Sequence, residues 1–370
     1  MTLSRLLVSR FEALAPSRPL ASRLQALAPL LLLLALALAT LLVLACAPAP
    51  PGPAAELSVP PDPEELFPVR RGGYVGFIDG SGALVVEPKF TSSGAEGEGL
   101  IPVRVSGGWG YIDRTGAWAI EPSFDEAGRF ASGLAPVRIG ALGGYIDTSG
   151  DVVVQPTFQA ARAFSEERAA VRSRGLWGFL DPSGEAVVPP RYPESRDFSQ
   201  GLAAVQTPDG LWGFIDPTGA FVVEPRWSDA YAFSRDRAVV RGPDGAFGFI
   251  DRTGEVVIEV ALYGARSFSG DLAPVRARGA EGRILWGFMD PSGRVAIEPA
   301  FEDAKAFADG RAPVRTREGG WGFVDTRGEM VIDPQFSSAE PFDHGLALVG
   351  SGEGWGYIDT AGRWVWDPSS

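Results

Sequence analysis

Nine aspartates recur at one place in a repeated phrase, of which "LWGFIDPTGAFVVEP" (Leu211–Pro225) is one copy: Asp79, Asp113, Asp147, Asp181, Asp216, Asp251, Asp290, Asp325 and Asp359. A row of carboxylates is a candidate for calcium binding or for acid–base work. A glycine follows each Asp by three residues, from Gly82 to Gly362. Asp accepts backbone hydrogen bonds within a turn and Gly supplies the positive φ a turn requires, so the row reads as nine structural turns. Catalysis needs one constellation that breaks the repeat. His344 is the single histidine, which excludes a His-based metal cluster, and it reads with Asp343 as a polar loop. The phosphate-loop pattern GxxxxGK[ST] is absent. A cryptic hydrolase with an Asp/Glu pair is the remaining catalytic alternative, and no residue points to it. The expectation is a protein that is not an enzyme, with no cofactor and no metal.

The aromatic before the motif glycine is a second row: Trp109, Trp177, Trp212, Trp286, Trp321 and Trp355, with Val75, Gly143 and Phe247 in the other copies. A fully buried Trp exchanged for Gly would leave a large cavity, so the place is expected to be part-buried. The six Trp are candidate contacts for a ligand or partner, with packing between neighbouring copies as the plainer use. Two charged rows also recur. Arg follows the strand Val at Arg70, Arg104, Arg138, Arg172, Arg241, Arg276 and Arg315, and an acid precedes the motif Pro place in seven copies, from Glu87 to Asp367, Val260 standing in that place after Glu259. They would pair between the third strand of one unit and the first of the next, or remain solvated.

What positions these residues is a repeat with its motif glycines at Gly76, Gly110, Gly144, Gly178, Gly213, Gly248, Gly287, Gly322 and Gly356. Short alternating runs rich in β-branched residues, bounded by Gly and Pro, mark strands. The Trp place lies thirteen residues before the Pro place in every copy, and the Pro place fifteen before the next strand Val. Length varies only between that Val and the next Trp, from six residues (Val103–Trp109) to eleven (Val275–Trp286), so that loop stands free. The expected fold is all-β: a tandem array of nine three-stranded antiparallel meanders joined by Phe-containing connectors. A closed propeller commonly shares strands from both termini in one blade, and no such split is legible. The array therefore reads as an open solenoid, with a closed propeller-like ring as the alternative.

The N-terminus reads as an address. Arg5, Arg10, Arg18 and Arg23 precede a run without charge from Leu24 to Ala55, ending its apolar part in "VLAC" before the lone cysteine, Cys46. Such a lead and core form a secretion signal, and the junction resembles the lipobox of bacterial lipoproteins, which implies lipidation of Cys46. The alternative is an uncleaved membrane anchor. Residues 1–45 are thus signal or anchor, 46–66 the lipidated Cys with a proline-rich tether, and 67–368 the repeats, placed in the cell envelope outside the cytoplasm. The whole chain carries a net charge of −13, of which four Arg and one Glu in the first 45 residues contribute +3. The rest is strongly acidic and would repel nucleic acid.

The phrases "GLWGFIDPTGAFVVEPRW" and "AFSRDRAVVR" resemble the WG-repeat, or WG β-repeat, proteins of bacteria. The resemblance implies a β-structured repeat region, commonly displayed outside the cell, with no shared enzymatic activity. It points to a surface-tethered module for protein or peptide interaction, or a scaffold. A cell-wall glycan binder using an exposed Trp row is the alternative.

Overall fold

The computed structural model describes residues 59–368. The leader (1–45), Cys46 and the linker up to residue 58 lie outside the described residues. Within the first copy, Leu66–Arg71 (β1) turns through Gly72 and Gly73, both at positive φ, into Tyr74–Asp79 (β2), and the Asp79–Gly82 turn leads into Leu84–Phe90 (β3). The β2–β3 ladder carries a wide irregularity: Val75 stands opposite Phe90 and Phe77 opposite Val86. Gly76 of β2 thus faces three residues of β3, Glu87 to Lys89, and the motif Pro88 sits where the ladder is interrupted and no N–H is required.

That irregularity explains the motif glycine. A Cβ on Gly76 would lie 2.4 Å from the Val86 carbonyl oxygen and 2.7 Å from Pro88 N, and one on Gly213 2.6 Å from the Val223 oxygen. The two strands touch backbone to backbone, which only Gly permits. Space, not φ, fixes this residue.

The second copy adds an element. Its connector contributes Ser92–Ser93 (β4), which pairs antiparallel with Leu100–Val105 (β5), followed by Gly108–Asp113 (β6) and Trp118–Phe124 (β7). Seven of the nine sheets have this fourth, two-residue strand, and the fifth sheet has a single bridge there, Ser195 to Val205. The expected three-stranded meander is therefore a four-stranded sheet in most copies, because the connector is extended enough to join the ladder.

The nine antiparallel sheets form a ring, a nine-bladed β-propeller. Its core is a set of clusters between neighbouring sheets rather than one central mass. In seven of them, the middle aromatic of one sheet meets the Phe of the next connector edge-on or tilted, as in Tyr111 with Phe130 at 4.9 Å, Phe214 with Phe233 at 4.8 Å and Phe288 with Phe307 at 4.7 Å between centroids. Aromatic pairs in this geometry add stability beyond their buried area.

The ring closes, which corrects the expected open array and upholds its alternative. Phe67 of the first sheet packs on Tyr357 of the ninth at 5.5 Å, the Tyr357 hydroxyl donates to the Pro68 carbonyl at 3.1 Å, and Asp62 N donates to the His344 carbonyl at 3.0 Å. Among the described residues no strand is shared between the ends: the first sheet is built from residues 66–90 and the ninth from 338–366. Side chains and a backbone hydrogen bond do the sealing. Seven copies combine a connector Phe with a strand Ala, as in Phe130 with Ala135. In the second copy Glu96 stands in the Phe place and Ile101 in the Ala place, packing beside Phe77; in the first, Phe67 fills the Ala place and reaches Tyr357.

Candidate functional site

The motif aspartates all engage their own turns. In all nine, Oδ1 accepts the backbone N–H two and four residues on: for Asp216, from Thr218 at 2.9 Å and Ala220 at 3.1 Å; for Asp359, from Ala361 and Arg363, both at 2.9 Å. In six, a Ser or Thr hydroxyl adds a bond of 2.6 Å, as Thr218 does to Asp216. The hydroxyl, followed by the backbone donors, holds Asp79, Asp113, Asp181, Asp216 and Asp251 below the usual carboxylate range against the opposing effect of burial. Asp290, which also receives Arg294, falls to about 2. A carboxylate saturated by its own turn has little capacity for an ion or a proton transfer. Among the described residues no cluster of His, Cys, Asp or Glu is arranged to hold a metal. His344 is half-exposed in a left-handed turn and pairs only with the neighbouring Asp343, at 2.9 Å.

The family model described as "WG containing repeat" matches eight stretches between residues 76 and 352, among them 109–142, 177–211 and 286–318. The chain belongs to the WG-repeat family. Each match begins at or near the Trp-Gly pair of one sheet and runs towards that of the next, so eight matches span nine sheets. No curated protein sequence matches the chain. Among solved structures, the computationally designed Ika8 protein is similar at 14% identity, covering 82% of this chain and 98% of its own, with a TM-score of 0.45. BamB from Moraxella catarrhalis gives 12%, 80%, 94% and 0.41, and the dihydro-heme d1 dehydrogenase NirN in complex with DHE gives 14%, 85%, 78% and 0.47. At such identities and TM-scores none of the three bears on function.

The WG-repeat tryptophans do not form an exposed platform. Trp177, Trp212 and Trp321 are buried, deeper than the part-buried place expected, and Trp109 and Trp286 are intermediate. In four sheets the connector ahead lays a cation on the Trp: Arg162 on Trp177 at 4.1 Å, Arg196 on Trp212 at 5.1 Å, Arg266 on Trp286 at 4.6 Å, Lys305 on Trp321 at 5.2 Å. Those cations also reach the next connector, Arg196 to Asp229 at 2.9 Å and Arg266 to Asp303 at 3.0 Å. The sequence carried a signal for this, a basic residue after the small one in "AAR", "SR", "AR" and "AK", but it is too short to stand out. The strand arginines for which a partner is seen bond within their own sheets rather than forming the inter-unit pairs that are one of the two readings of the sequence. Arg138 pairs with Glu126 of its own connector, and Arg172 and Arg241 bond to the Gly175 and Gly245 carbonyls of their own hairpins.

Trp355 is the exception, 54% exposed. In the ninth sheet the capping cation is replaced by Glu340, which pairs with Lys305 at 2.8 Å. Trp355 lies at the seam between the ninth and first sheets, in a groove of about 670 Å³ lined by Val69, Arg70, Glu340, Glu353, Trp355 and Trp366 among others.

Proposed function

We propose that this WG-repeat propeller is a docking platform for protein or peptide partners, held at a membrane outside the cytoplasm by a lipid on Cys46. The observation that supports the platform reading is that the repeated polar and aromatic residues are engaged within the fold, the Asp row by turns and four of the six Trp by connector cations. What remains for recognition is a rigid ring whose outward residues differ from copy to copy, and a repeat propeller is commonly a protein-interaction module. The tether reading rests on the charged lead, the uncharged run from Leu24 to Ala55 and the lone Cys46. The acidic composition favours neither nucleic acid nor anionic headgroups as partners.

The test is capture of partners by tagged full-length protein after cross-linking in the cells that produce it. Discrete proteins recovered with the wild type support the platform. Recovery of cell-wall glycan alone would replace it with the glycan reading. Fatty-acid labelling checks the tether: label is expected on the wild type and lost in Cys46→Ser, and its persistence would overturn lipidation.

A further inference from the structure

In seven sheets, the backbone carbonyl of the residue that closes the first long strand accepts a connector N–H. Arg104 O accepts from Thr91 at 2.9 Å, Arg172 O from Gln159 at 2.8 Å and Arg315 O from Glu302 at 2.9 Å. Arg70 occupies this place on β1, and among the described residues no segment pairs with that edge. The residues ahead of β1 go elsewhere: the Thr360 hydroxyl donates to Val59 O at 3.5 Å, and Asp62 bonds to His344. An unpaired strand edge is a template for an added strand, and here it borders the Trp355 groove.

The filled junctions specify what fits. The connector residue opposite the strand Val is always small: Ser93, Ala127, Ala161, Ser195, Ala230, Ala265, Ala304 or Ala339. It lies against the Trp place of the preceding sheet; where that place is Gly143, a Cβ would stand 3.2 Å from Ala161 Cβ. A segment added to β1 would therefore cover the open face of Trp355. In two sheets the residue before the small one meets the preceding connector, Asp229 receiving Arg196 and Asp303 receiving Arg266, while in another Glu126 pairs with Arg138 opposite it. At the seam the preceding residue is Glu340, so the polarity reverses and the incoming residue is basic. Glu340 and Glu353 together outnumber Arg70 in the groove.

We infer that the free edge of β1 and Trp355 form a docking site for an extended basic segment of a partner protein. The segment adds as a short antiparallel strand, with a small residue opposite Val69 and a Lys or Arg opposite Arg70, against Glu340 and beside the Trp355 indole. This is strand addition, in which main-chain bonds supply affinity and side-chain places supply specificity. The inference rests on the platform reading and gives it a site.

The probe is a labelled synthetic peptide with the sequence of Thr157–Phe164, carrying Lys in place of Ala160, and a companion carrying Glu there. Full-length protein is expected to bind the Lys peptide and to protect the Arg70 amide from hydrogen exchange. Trp355→Ala should weaken binding about tenfold, as loss of a stacking partner for a cationic strand does. Glu340→Arg restores the pattern of the sheets whose connector cation caps Trp, so the variant should fold normally, and it should reverse the preference towards the Glu peptide. Equal binding of both peptides, no binding of either, or no change in Glu340→Arg would overturn the site. So would a dimer lost in Trp355→Ala, which would assign the edge to a second copy. If cellular partners are still captured by both variants, the seam site fails while the platform stands; if the wild type captures none, the platform itself fails.

Discussion

Exchanging the pair Glu96 and Ile101 for the majority pair tests how the ring is sealed. Ile101 is buried beside Phe77, and a Phe at residue 96 would compete for the same space. Ile101→Ala alone opens a cavity and should cost about 2–5 kcal/mol. Glu96→Phe alone overpacks the site, at about 1–3 kcal/mol, and removes the Arg114–Glu96 contact of 2.6 Å, a part-buried pair worth about 1 kcal/mol. Independent effects would sum to about 3–9 kcal/mol. The double variant reproduces Phe130 with Ala135, the arrangement of seven copies, and should fall within about 1 kcal/mol of the wild type, a coupling of at least about 2 kcal/mol. Denaturant unfolding followed by tryptophan fluorescence, with the slope unchanged, measures each corner of the cycle. Additivity within about 0.5 kcal/mol would refute the idea that the two residues fill one slot.

Three further outcomes are expected. Phe67→Ala should cost about 3–5 kcal/mol and separate the ninth sheet from the first, visible as loss of energy transfer between dyes placed on residues 74 and 353. Gly213→Ala should prevent the fifth sheet from forming, since its Cβ would meet the Val223 carbonyl at 2.6 Å, whereas two residues inserted between Ala280 and Glu281 in a free hairpin should leave the melting temperature nearly unchanged. Acid should unfold the ring through the turns. Their Asp pKa values are depressed in the fold, so the stability they confer is present above the ordinary Asp range and is lost as pH falls through the folded values, down to about 2 for Asp290. Asp→Asn exchange at several turns should flatten that dependence in a pH series of melting temperatures.

Much of the architecture was legible because each sheet is built from contiguous residues. Constant spacing from Trp109 to Pro122 and on to Val137 marks strands held by neighbours, and the Asp with Gly three residues later marks the turns. Closure was not legible in the absence of a shared strand, since the seam is sealed by side chains and a backbone hydrogen bond. Its trace was Phe67 and Ile101 standing where seven copies have Ala, a size change that acquires meaning only once Tyr357 and Phe77 are known to lie across from them. The Trp row was legible only in part. Its variability at Val75, Gly143 and Phe247 indicated a part-buried place, which Trp109 and Trp286 occupy; Trp177, Trp212 and Trp321 lie deeper under arginines and a lysine that arrive from a connector, and the residue that stands open, Trp355, is distinguished by Glu340 rather than by anything in its own motif.

Building every blade from neighbouring residues also sets the order of assembly. Contacts within a sheet span a few tens of residues, so each can form as soon as its own stretch is available, and the barrier to each is low. Phe67 and Tyr357 are the exception, 290 positions apart, and their meeting must wait until the other blades stand in line. Folding should therefore show fast local phases followed by one slow, concerted step that Phe67→Ala abolishes without slowing the rest. Until that step completes, both terminal blades present bare apolar faces, which is when the molecule is most prone to join another of its kind instead of itself.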